Sequence, residues 1–387
     1  MASIESITPF VVNLSPKSNW FFVRVTNDAG IHGYGEGTLY GRETEQLAAL
    51  ESLKPIILGR PAQLVHMAMP AGGGGLVASS VVSALEQAIT DLRAREWGTP
   101  LYKELGVPPQ RTAIRMYANI NRRTGDRSPE GFAASARDAL AQGFLAVKIA
   151  PFDGVVPQEL GTKESRALID AGIARIHATR DAIGENTVLM VDCHWRFDEK
   201  TAATVLKELK SAKLFWFECP IAETGENHPA LKKLRRVAHR IETRLAGAEQ
   251  GIGVDAFKPF VEGGLYDVVM PDVKYAGGYQ QMLRIAEMCQ RSQVDFSPHN
   301  PTGPVCTMAS LHICAVAPNF LLLEHQLGES PLYHELVRGA HPAVRDGCFE
   351  VPSAPGLGID LDEDLMRAHP YQPLTNVRDA RLGQGGR

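Results

Sequence analysis

The chain has 387 residues, of which 44% are hydrophobic and 22% are charged, and its formal net charge is −4. These proportions are ordinary for a soluble globular protein, and the length suits one large core with a smaller domain beside it. The slight negative charge gives no basic field for nucleic acid or an anionic membrane, so neither is an expected partner.

We expect neither export nor membrane insertion. The first ten residues, MASIESITPF, have neither the charged nor the apolar region of a signal peptide, and no apolar run reaches the ~18 residues of a membrane span. The six cysteines form no C-x-x-C pair, and most of them lie in apolar patterns. Free thiols and a cytoplasmic location are therefore the expectation.

Residues 1–115 are predicted to form an α+β domain. The runs ITPFVVNL and NWFFVRV are rich in apolar and β-branched residues, which is typical of strands, and residues 27–30 supply a turn. The glycine-rich stretch GYGEGTLYGRE ends this strand region. Helical patterns follow, and in SALEQAITDLRAREWG apolar residues recur at i, i+3, i+4 and i+7 from Leu85, which makes one buried face.

From residue 116 to residue 340, strand-like runs alternate with helical ones. The strand-like runs are MYANI, FLAVKIA, TVLMVD, LFWFE, RLAGAE, YDVVMP, VDFSPH and NFLLLE. Eight alternating units predict an α/β fold of the (β/α)8 type, a modified TIM barrel, with a doubly wound open sheet as the alternative. The tail, residues 341–387, is predicted to return to the first domain and complete it.

Three acidic residues close three successive strand-like runs. They are Asp192 in VLMVDCH, Glu218 in LFWFECP and Glu249 in RLAGAEQ. The strand ends of a β/α barrel all point to one face, so three carboxylates placed there can converge on one hard cation. Any one of these acids alone would be interpreted as a strand-end cap or an ion pair, but three at this spacing predict a magnesium site.

Other charged residues are predicted to face the same mouth. Lys148 ends the second barrel strand, where three neighbouring carboxylates make it a candidate base or carboxylate binder. His194 lies two residues past Asp192, so both side chains can point the same way on an extended strand. Asp272 and His299 end the sixth and seventh strands, where the carboxylate can bond one ring nitrogen and raise the basicity of the imidazole.

Glu324 ends the eighth strand-like run, NFLLLE. Burial would raise the pKa of this carboxyl group, and its protonated form could then donate a hydrogen bond to a forming enediolate. An ion pair at the barrel rim is the alternative for this residue.

Several further motifs occur in a specific order along nearly the whole chain. They are GYGEGT, ALEQAITDLRAREWGTPLYKELG, YANINR on the first barrel strand, PD…GG at 271–278, SPHNPTGP at 297–304 and PGLGIDLDED near the end. With the three acidic strand ends, they resemble the enolase superfamily, in its mandelate racemase branch, and most closely the acid-sugar dehydratases of the galactonate-dehydratase type. Lysine or histidine bases working with magnesium are already known chemistry of this superfamily.

The resemblance implies a role for each candidate residue. Asp192, Glu218 and Glu249 would hold one Mg²⁺, which would bind a substrate carboxylate and stabilise the enediolate formed when the α-proton leaves. His299, oriented by Asp272, would be the base that removes this proton.

The acid and the cap have implied roles as well. His194 would be the acid that helps the β-hydroxyl depart as water, and Glu324 would hydrogen-bond the enediolate. Residues 1–115 would form a capping domain whose loops, for example 15–20 and 40–42, close the mouth and select the substrate.

The chain departs from the family pattern on the second barrel strand. Racemases and cycloisomerases of the family carry Lys-x-Lys there, whereas this chain has Lys148-Ile149-Ala150. A two-base racemisation therefore lacks one partner, while His194 supplies the acid that dehydration needs. Lys148 would then contact the substrate carboxylate or add positive potential near it. The stretch PFDGVVPQELGTKES, which follows Lys148, could form a loop over the mouth.

The resulting hypothesis is a magnesium-dependent hydro-lyase that dehydrates a sugar acid, an aldonate or an aldarate, to a 2-keto-3-deoxy acid. The alternatives are an epimerase or cycloisomerase working from the same enediolate, and a non-catalytic relative. The resemblance also implies a homo-oligomer, because relatives form symmetric oligomers.

Overall fold

The computed structural model describes residues 2–65, 74–339 and 343–375. The strands are β1 (Ile4–Ser15), β2 (Ser18–Asn27), β3 (His32–Glu36), β4 (Ala113–Asn119), β5 (Ala146–Ile149), β6 (Val188–Asp192), β7 (Trp216–Glu218), β8 (Arg244–Gly247), β9 (Val268–Val269), β10 (Asp295–Phe296), β11 (Leu323–Gln326), β12 (Val337–Arg338), β13 (Cys348–Glu350) and β14 (Asp360–Leu361).

The helices alternate with these strands along most of the chain. They are α1 (Glu43–Ile57), α2 (Ala62–Val65), α3 (Gly75–Glu96), α4 (Leu101–Glu104), α5 (Pro129–Ala141), α6 (Lys163–Ile183), α7 (Glu199–Glu208), α8 (His228–His239), α9 (Gly253–Val261), α10 (Tyr279–Arg291), α11 (Pro304–Val316), α12 (Leu332–Glu335) and α13 (Glu363–Ala368). Within the described ranges, none of these helices has the length and apolarity needed to cross a membrane.

The first three strands form an antiparallel sheet that is buried on both faces. Along β2, Phe21, Val23 and Val25 pack with apolar residues of α1 and α3. Trp20 and Phe22 point to the other face and join the core that continues into the barrel. This alternation follows from the period of two in a strand, and it explains why β2 is buried at nearly every position.

Glycines let strand β3 lie directly against helix α3. A β-carbon at Gly33, Gly35 or Gly37 would overlap backbone atoms of this helix, and the carbonyl oxygen of Ala84 is the atom nearest to Gly35. The glycines occupy alternate positions, so they share one face of the strand. The residues between them, including Glu36, therefore face the barrel.

Eight parallel strands form the second sheet, in the order β10-β9-β8-β7-β6-β5-β4-β11. A parallel bridge between Phe296 and Phe320 joins the two ends of this order and closes the ring. The barrel interior is filled by a cluster of buried residues: Tyr117, Ala146, Met190, Trp216, Ala246, Val268, Met270 and Leu322. The predicted barrel with an α+β cap is confirmed, and the closed ring excludes the doubly wound alternative.

All eight predicted barrel strands are present, but several end earlier than the sequence predicted. Strand β8 stops at Gly247, so Glu249 follows it in the loop. Strands β9 and β10 contain two residues each, so Asp272 and His299 also lie beyond their strands. The predicted residues are still at the carboxyl ends of their strands, since each lies within three residues of the strand end.

The chain after the barrel contacts both parts of the molecule. Strand β13 pairs antiparallel with β4, at the start of the first barrel strand. Further on, Pro370 bridges to Val12 of β1. The boundaries at 115 and 340 remain a prediction, and residues 341–342 and 376–387 of the predicted tail lie outside the described residues.

The close approach of β3 and α3 generates a stability prediction. We expect Gly35→Ala to lower the free energy of unfolding by about 1–3 kcal/mol, because the new methyl group must displace backbone atoms of α3. Urea unfolding followed by circular dichroism measures this change. Gly125→Ala is the matched control, since no described residue beyond its two chain neighbours has an atom within 4 Å of its β-carbon position. An equal loss in both variants would contradict the prediction.

Candidate active site

Asp192 and Glu218 lie side by side at the ends of β6 and β7, because they are paired residues in the parallel register. Within the described ranges, these two residues and Cys219 form the group whose candidate metal-ligand atoms all lie within 4.8 Å of one another. Burial raises the pKa of the Cys219 thiol well above its ordinary value, so the sulfur stays protonated. Magnesium prefers oxygen, so the two carboxylates are the relevant part of this group.

Glu249, the third predicted ligand, lies outside that group but belongs to the same electrostatic site. Its Oε2 atom is buried and has no hydrogen-bond partner among the described residues. The pKa of Glu249 is raised well above its ordinary value, first by burial and then by the negative charges of Asp192 and Glu218. This oxygen therefore lacks the positive partner that a buried carboxylate requires.

The neighbouring carboxyl groups divide into two electrostatic classes. Burial raises the pKa of Glu218 to about 8, although the Lys148 ammonium opposes this shift. The pKa of Asp192 is lowered to about 2, because His194 and Lys148 together outweigh its burial. In the described part of the mouth, Glu218 and Glu249 thus resist ionisation, because the side chains around them do not balance the negative charge that ionisation would add.

Lys148 is buried between two acids at the bottom of the mouth. Its Nζ atom donates to Oε1 of Glu218 at 2.7 Å and lies 2.9 Å from Oε1 of Glu324. Burial alone would lower the pKa of this lysine, but the two carboxylates hold it well above its ordinary value. The side chain therefore stays protonated, which argues against the base that the sequence analysis considered and favours a source of positive potential.

The expectation that burial raises the pKa of Glu324 is wrong in this structure. Burial does oppose ionisation, but Lys148, His299 and the hydrogen bonds to this group together outweigh it, and the pKa of Glu324 is lowered to about 2. Its oxygens also accept hydrogen bonds from Nδ2 of Asn119 at 2.7 Å and from the backbone N–H of Asn300 at 2.9 Å. The group is an ionised acceptor in this arrangement, and a donor role would require it to gain a proton first.

His299 is held by Asp272, as the strand-end pattern predicted. The Nδ1 atom lies 2.6 Å from Oδ2 of Asp272. Burial would raise the pKa of Asp272, but Lys274 and His299 keep it below its ordinary value, so Asp272 accepts the Nδ1 proton. Burial lowers the pKa of His299 itself. The Nε2 atom is then the unprotonated nitrogen, and it lies 3.5 Å from Oε2 of Glu249.

His194 reaches the site by a different route from the one predicted. Strand β6 ends at Asp192, and His194 has a left-handed backbone with φ of 47°, so the two side chains do not follow an extended strand. The chain turns there, and Nε2 of His194 lies 2.8 Å from Oδ2 of Asp192. The imidazole is about a third exposed, with 36% of its side-chain surface accessible, so it can meet a ligand in the mouth.

Two cap residues near the predicted loops contact the barrel rim. Ser18 Oγ donates to Oε1 of Glu329 at 2.9 Å, and the hydroxyl of Tyr40 lies 3.3 Å from the same oxygen. Glu329 also pairs with Arg122, whose guanidinium lies over the ring of Tyr40 and donates to the carbonyl of Pro301 at 2.9 Å. The cap thus reaches the loop that carries His299.

Glu36 is a site-supporting residue that the sequence analysis did not identify. This fully buried carboxylate accepts hydrogen bonds from the backbone N–H groups of Gly303 and Cys306 at 2.8 and 2.9 Å. These N–H groups belong to the start of α11, directly after the His299 loop, and a carboxylate is favourable at a helix N-terminus. The sequence feature that could have identified Glu36 is its position as the one acidic residue among the alternating glycines of GYGEGT.

The segment that follows Lys148 is anchored at the mouth by two residues. Phe152 packs edge-on against Phe197 with ring centres 4.8 Å apart. The carbonyl of Val155 accepts a hydrogen bond from Nη1 of the buried Arg196 at 2.8 Å. The segment is therefore packed against the chain that follows β6, two residues from His194.

Comparison with known proteins agrees with this architecture. A model of the mandelate racemase / muconate lactonizing enzyme N-terminal domain matches residues 5–106, and an enolase C-terminal domain-like model matches residues 131–365. D-galactonate dehydratase of Ralstonia pickettii is 29% identical over 359 residues, which cover 90% of each chain.

Two solved structures extend the likeness to three dimensions. A mandelate racemase/muconate lactonizing enzyme from Jannaschia sp. CCS1 has a TM-score of 0.84 at 26% identity, covering 96% of this chain and 98% of that one. The 3,6-anhydro-D-galactonate cycloisomerase from Zobellia galactanivorans has a TM-score of 0.82 at 25% identity, covering 96% and 100%. The chain belongs to the mandelate racemase / muconate lactonizing enzyme family and has an enolase-like C-terminal domain.

Proposed function

We propose that this protein is a magnesium-dependent dehydratase of a sugar acid, an aldonate or an aldarate. One observation carries the proposal: the unpartnered Oε2 of Glu249 lies 3.5 Å from Nε2 of His299, whose Nδ1 is held by Asp272. A candidate cation ligand and an oriented base thus meet at one point. The D-galactonate dehydratase relatives support the hydro-lyase class.

The residues present fit a magnesium ion. Asp192, Glu218 and Glu249 would hold it, since they offer carboxylate oxygens of which one is buried and unpartnered. Oδ2 of Asp192 also contacts His194, but a carboxylate oxygen has more than one lone pair to share. When bound, the ion would supply Lewis-acid stabilisation of negative charge on the substrate carboxylate.

His299 would start the reaction by removing the proton next to the substrate carboxylate. Asp272 keeps the Nδ1 proton in place and stabilises the imidazolium that forms, so Nε2 can accept the substrate proton. The electron pair of the C–H bond would move into an enediolate. The positive charge of Lys148, buried below the carboxylates, favours this build-up of negative charge.

His194 would complete the elimination. The enediolate electrons return to form a C2–C3 double bond as the C3–O bond breaks, and the imidazolium of His194 gives its proton to the leaving hydroxyl, which departs as water. The resulting enol then tautomerises to the 2-keto-3-deoxy acid. The partial exposure of His194 at the mouth suits a group that must exchange a proton with each turnover.

An epimerase or cycloisomerase is the second candidate, because one structural relative, the Zobellia galactanivorans protein, is a 3,6-anhydro-D-galactonate cycloisomerase. Ala150 stands two residues after Lys148, where the racemases and cycloisomerases of the family carry a second lysine. The absence of this amine favours the dehydratase. We also propose a cytoplasmic location, in keeping with six free cysteines, and a homo-oligomeric assembly.

A screen of aldonic and aldaric acids tests the proposed reaction. In the presence of Mg²⁺, we expect at least one of them to give a 2-keto-3-deoxy acid, which semicarbazide detection and proton NMR identify. An epimerised or cyclised product without a keto acid would support the second candidate. Bound Mg²⁺ without turnover of any acid would favour a non-catalytic relative.

Two histidine variants separate the proposed chemical steps. His299→Asn should lower both α-proton exchange with solvent deuterium and dehydration by about 10²–10⁴-fold, since each needs the base. His194→Asn should lower dehydration by a similar factor while exchange continues, because only the leaving hydroxyl needs the acid. NMR measures both rates, and His239→Asn on the barrel exterior is the control. Retained exchange in His299→Asn would contradict the base assignment.

Removal of Glu249 tests the metal site independently of turnover. Glu249→Gln should weaken Mg²⁺ binding by more than about 100-fold, because even outer-shell losses typically cost 10–100-fold. In protein from which a chelator has removed the metal, the same change should maintain or raise the melting temperature, since it removes repulsion with Asp192 and Glu218. Calorimetric titration and thermal unfolding measure the two effects, with the exposed Glu262→Gln as control. If metal-free Glu249→Gln melts at a lower temperature than the metal-free wild type, Glu249 forms a structural ion pair instead.

The same charges predict how pH affects the metal-free protein. A carboxyl group whose folded pKa is raised contributes stability below its unfolded pKa, and this stability is lost as pH rises toward the folded pKa. For Glu218 this window runs from about 4.5 to about 8. We therefore expect Mg²⁺ to raise the melting temperature more at pH 8 than at pH 5. An equal rise at both values would contradict this assignment of charge.

A further inference from the structure

Left-handed backbone occurs within three residues of each predicted ligand, at residues that are not glycine. Trp195 follows His194 with φ of 56°, Cys219 follows Glu218 with φ of 44°, and Ala248 precedes Glu249 with φ of 67°. Side chains with a β-carbon disfavour this region, so the surrounding structure must hold these residues there. The three positions lie just past the ends of three different strands, β6, β7 and β8.

One carboxyl group, that of Glu223, contacts all three of these positions. Its Oε1 atom accepts hydrogen bonds from the backbone N–H of Ala248 at 2.7 Å and from Sγ of Cys219 at 3.8 Å. The side chain of Trp195 also hydrogen-bonds this carboxyl group; burial raises the pKa of Glu223, and this bond opposes the rise. The hydroxyl of Tyr266 donates to the same Oε1 at 2.7 Å and fixes it from the β9 side.

Strand β8 is shaped to admit this carboxyl group. A β-carbon at Gly247 would overlap Oε1 of Glu223 and would lie 2.7 Å from the hydroxyl of Tyr266. Gly247 does not have a positive φ, so its glycine is explained by this close approach and not by backbone conformation. The absence of a side chain two residues before Glu249 is what lets Glu223 reach the Ala248 N–H.

We propose that Glu223 is a positioning residue that holds the ends of β6, β7 and β8 so that Asp192, Glu218 and Glu249 can bind one divalent cation. The inference rests on the metal site of the proposed function and adds to it the group that orients the ligands. Glu223 contacts the residue after Glu218, the residue before Glu249 and, three residues after Asp192, Trp195. In the described contacts it touches none of the three ligand carboxyl groups.

Two explanations for an effect of Glu223 must be separated. In the first, Glu223 acts through position: its hydrogen bonds from Cys219 and Ala248 fix the backbone next to two ligands. In the second, Glu223 acts through charge: its carboxylate attracts a cation from a distance, regardless of its hydrogen bonds. Glu223→Gln removes the charge but keeps an oxygen that can accept both bonds, whereas Glu223→Ala removes the charge and the bonds. Gly247→Ala keeps the charge and displaces the group.

Calorimetric titration of the full chain with MgCl₂ tests the inference. We expect Glu223→Ala and Gly247→Ala to weaken Mg²⁺ binding by about 10–100-fold and Glu223→Gln by roughly threefold, since outer-shell partners typically account for factors of this size. Asp267→Ala is the matched control. Asp267 accepts the N–H of Leu245 at 2.8 Å on the same strand β8, but at the end opposite the mouth, so binding should stay within about twofold of wild type.

Hydrogen exchange of the metal-free protein gives a second readout. The N–H of Ala248 should exchange faster in Glu223→Ala than in wild type, because its acceptor is gone. In Asp267→Ala the faster exchange should appear at Leu245 instead, because its acceptor is removed in the same way. A structural role without any positioning of ligands would speed exchange at Ala248 and leave Mg²⁺ affinity unchanged, which would overturn the inference.

The outcomes distinguish this inference from the proposed function. Wild-type binding of Mg²⁺ with unchanged affinity in Glu223→Ala overturns the inference and leaves the function standing. Equal weakening in Glu223→Gln and Glu223→Ala, with normal binding by Gly247→Ala, would mean that charge and not position acts, which also overturns it. A wild-type protein that binds no divalent cation would overturn the metal site and the positioning role together.

Discussion

Buried carboxyl groups at the ends of β6, β7 and β8 repel one another, and burial strengthens this repulsion because little water screens it. Asp192 and Lys148 each relieve part of it: the first pairs with His194, and the second donates to Glu218. Glu249 keeps an unpartnered buried oxygen. A protein retains such a cost where a bound group offsets it, so the charge imbalance and the barrel geometry both indicate a cation site.

The sequence was sufficient to predict the barrel, its eight strands and the carboxyl-end location of the acids. Apolar runs with polar residues directly after them repeat along the chain, and a parallel barrel brings all such ends to one face. The local geometry was not predictable in the same way. The turn at His194 and the loop position of Glu249 depend on left-handed residues that are not glycine, and neighbouring strands hold these residues in place.

Charge state was the least predictable property, because it depends on partners from distant parts of the chain. Burial alone suggested a protonated Glu324, but Lys148 lies 2.9 Å from it and keeps it ionised. Lys274 was overlooked because a lysine two residues after Asp272 looks like a solvated charge, yet it is fully buried and bonds that aspartate. A sequence lists the charged residues, but only the fold shows which of them pair.

Support for the base extends from the barrel into the cap. The loop after His299 is bonded at Pro301 by Arg122, and at Gly303 by Glu36 of strand β3. Glu36 can reach that far only because the alternating glycines, which have no side chain, allow β3 to lie directly against α3. The side chains between them then face the barrel. Docking of the cap and placement of the base therefore depend on the same contacts. If the cap were not docked, the carboxyl group of Glu36 would lose its hydrogen bonds from the N-terminus of α11. This loss costs free energy, so it favours the one docked arrangement in which His299 faces the predicted ligands.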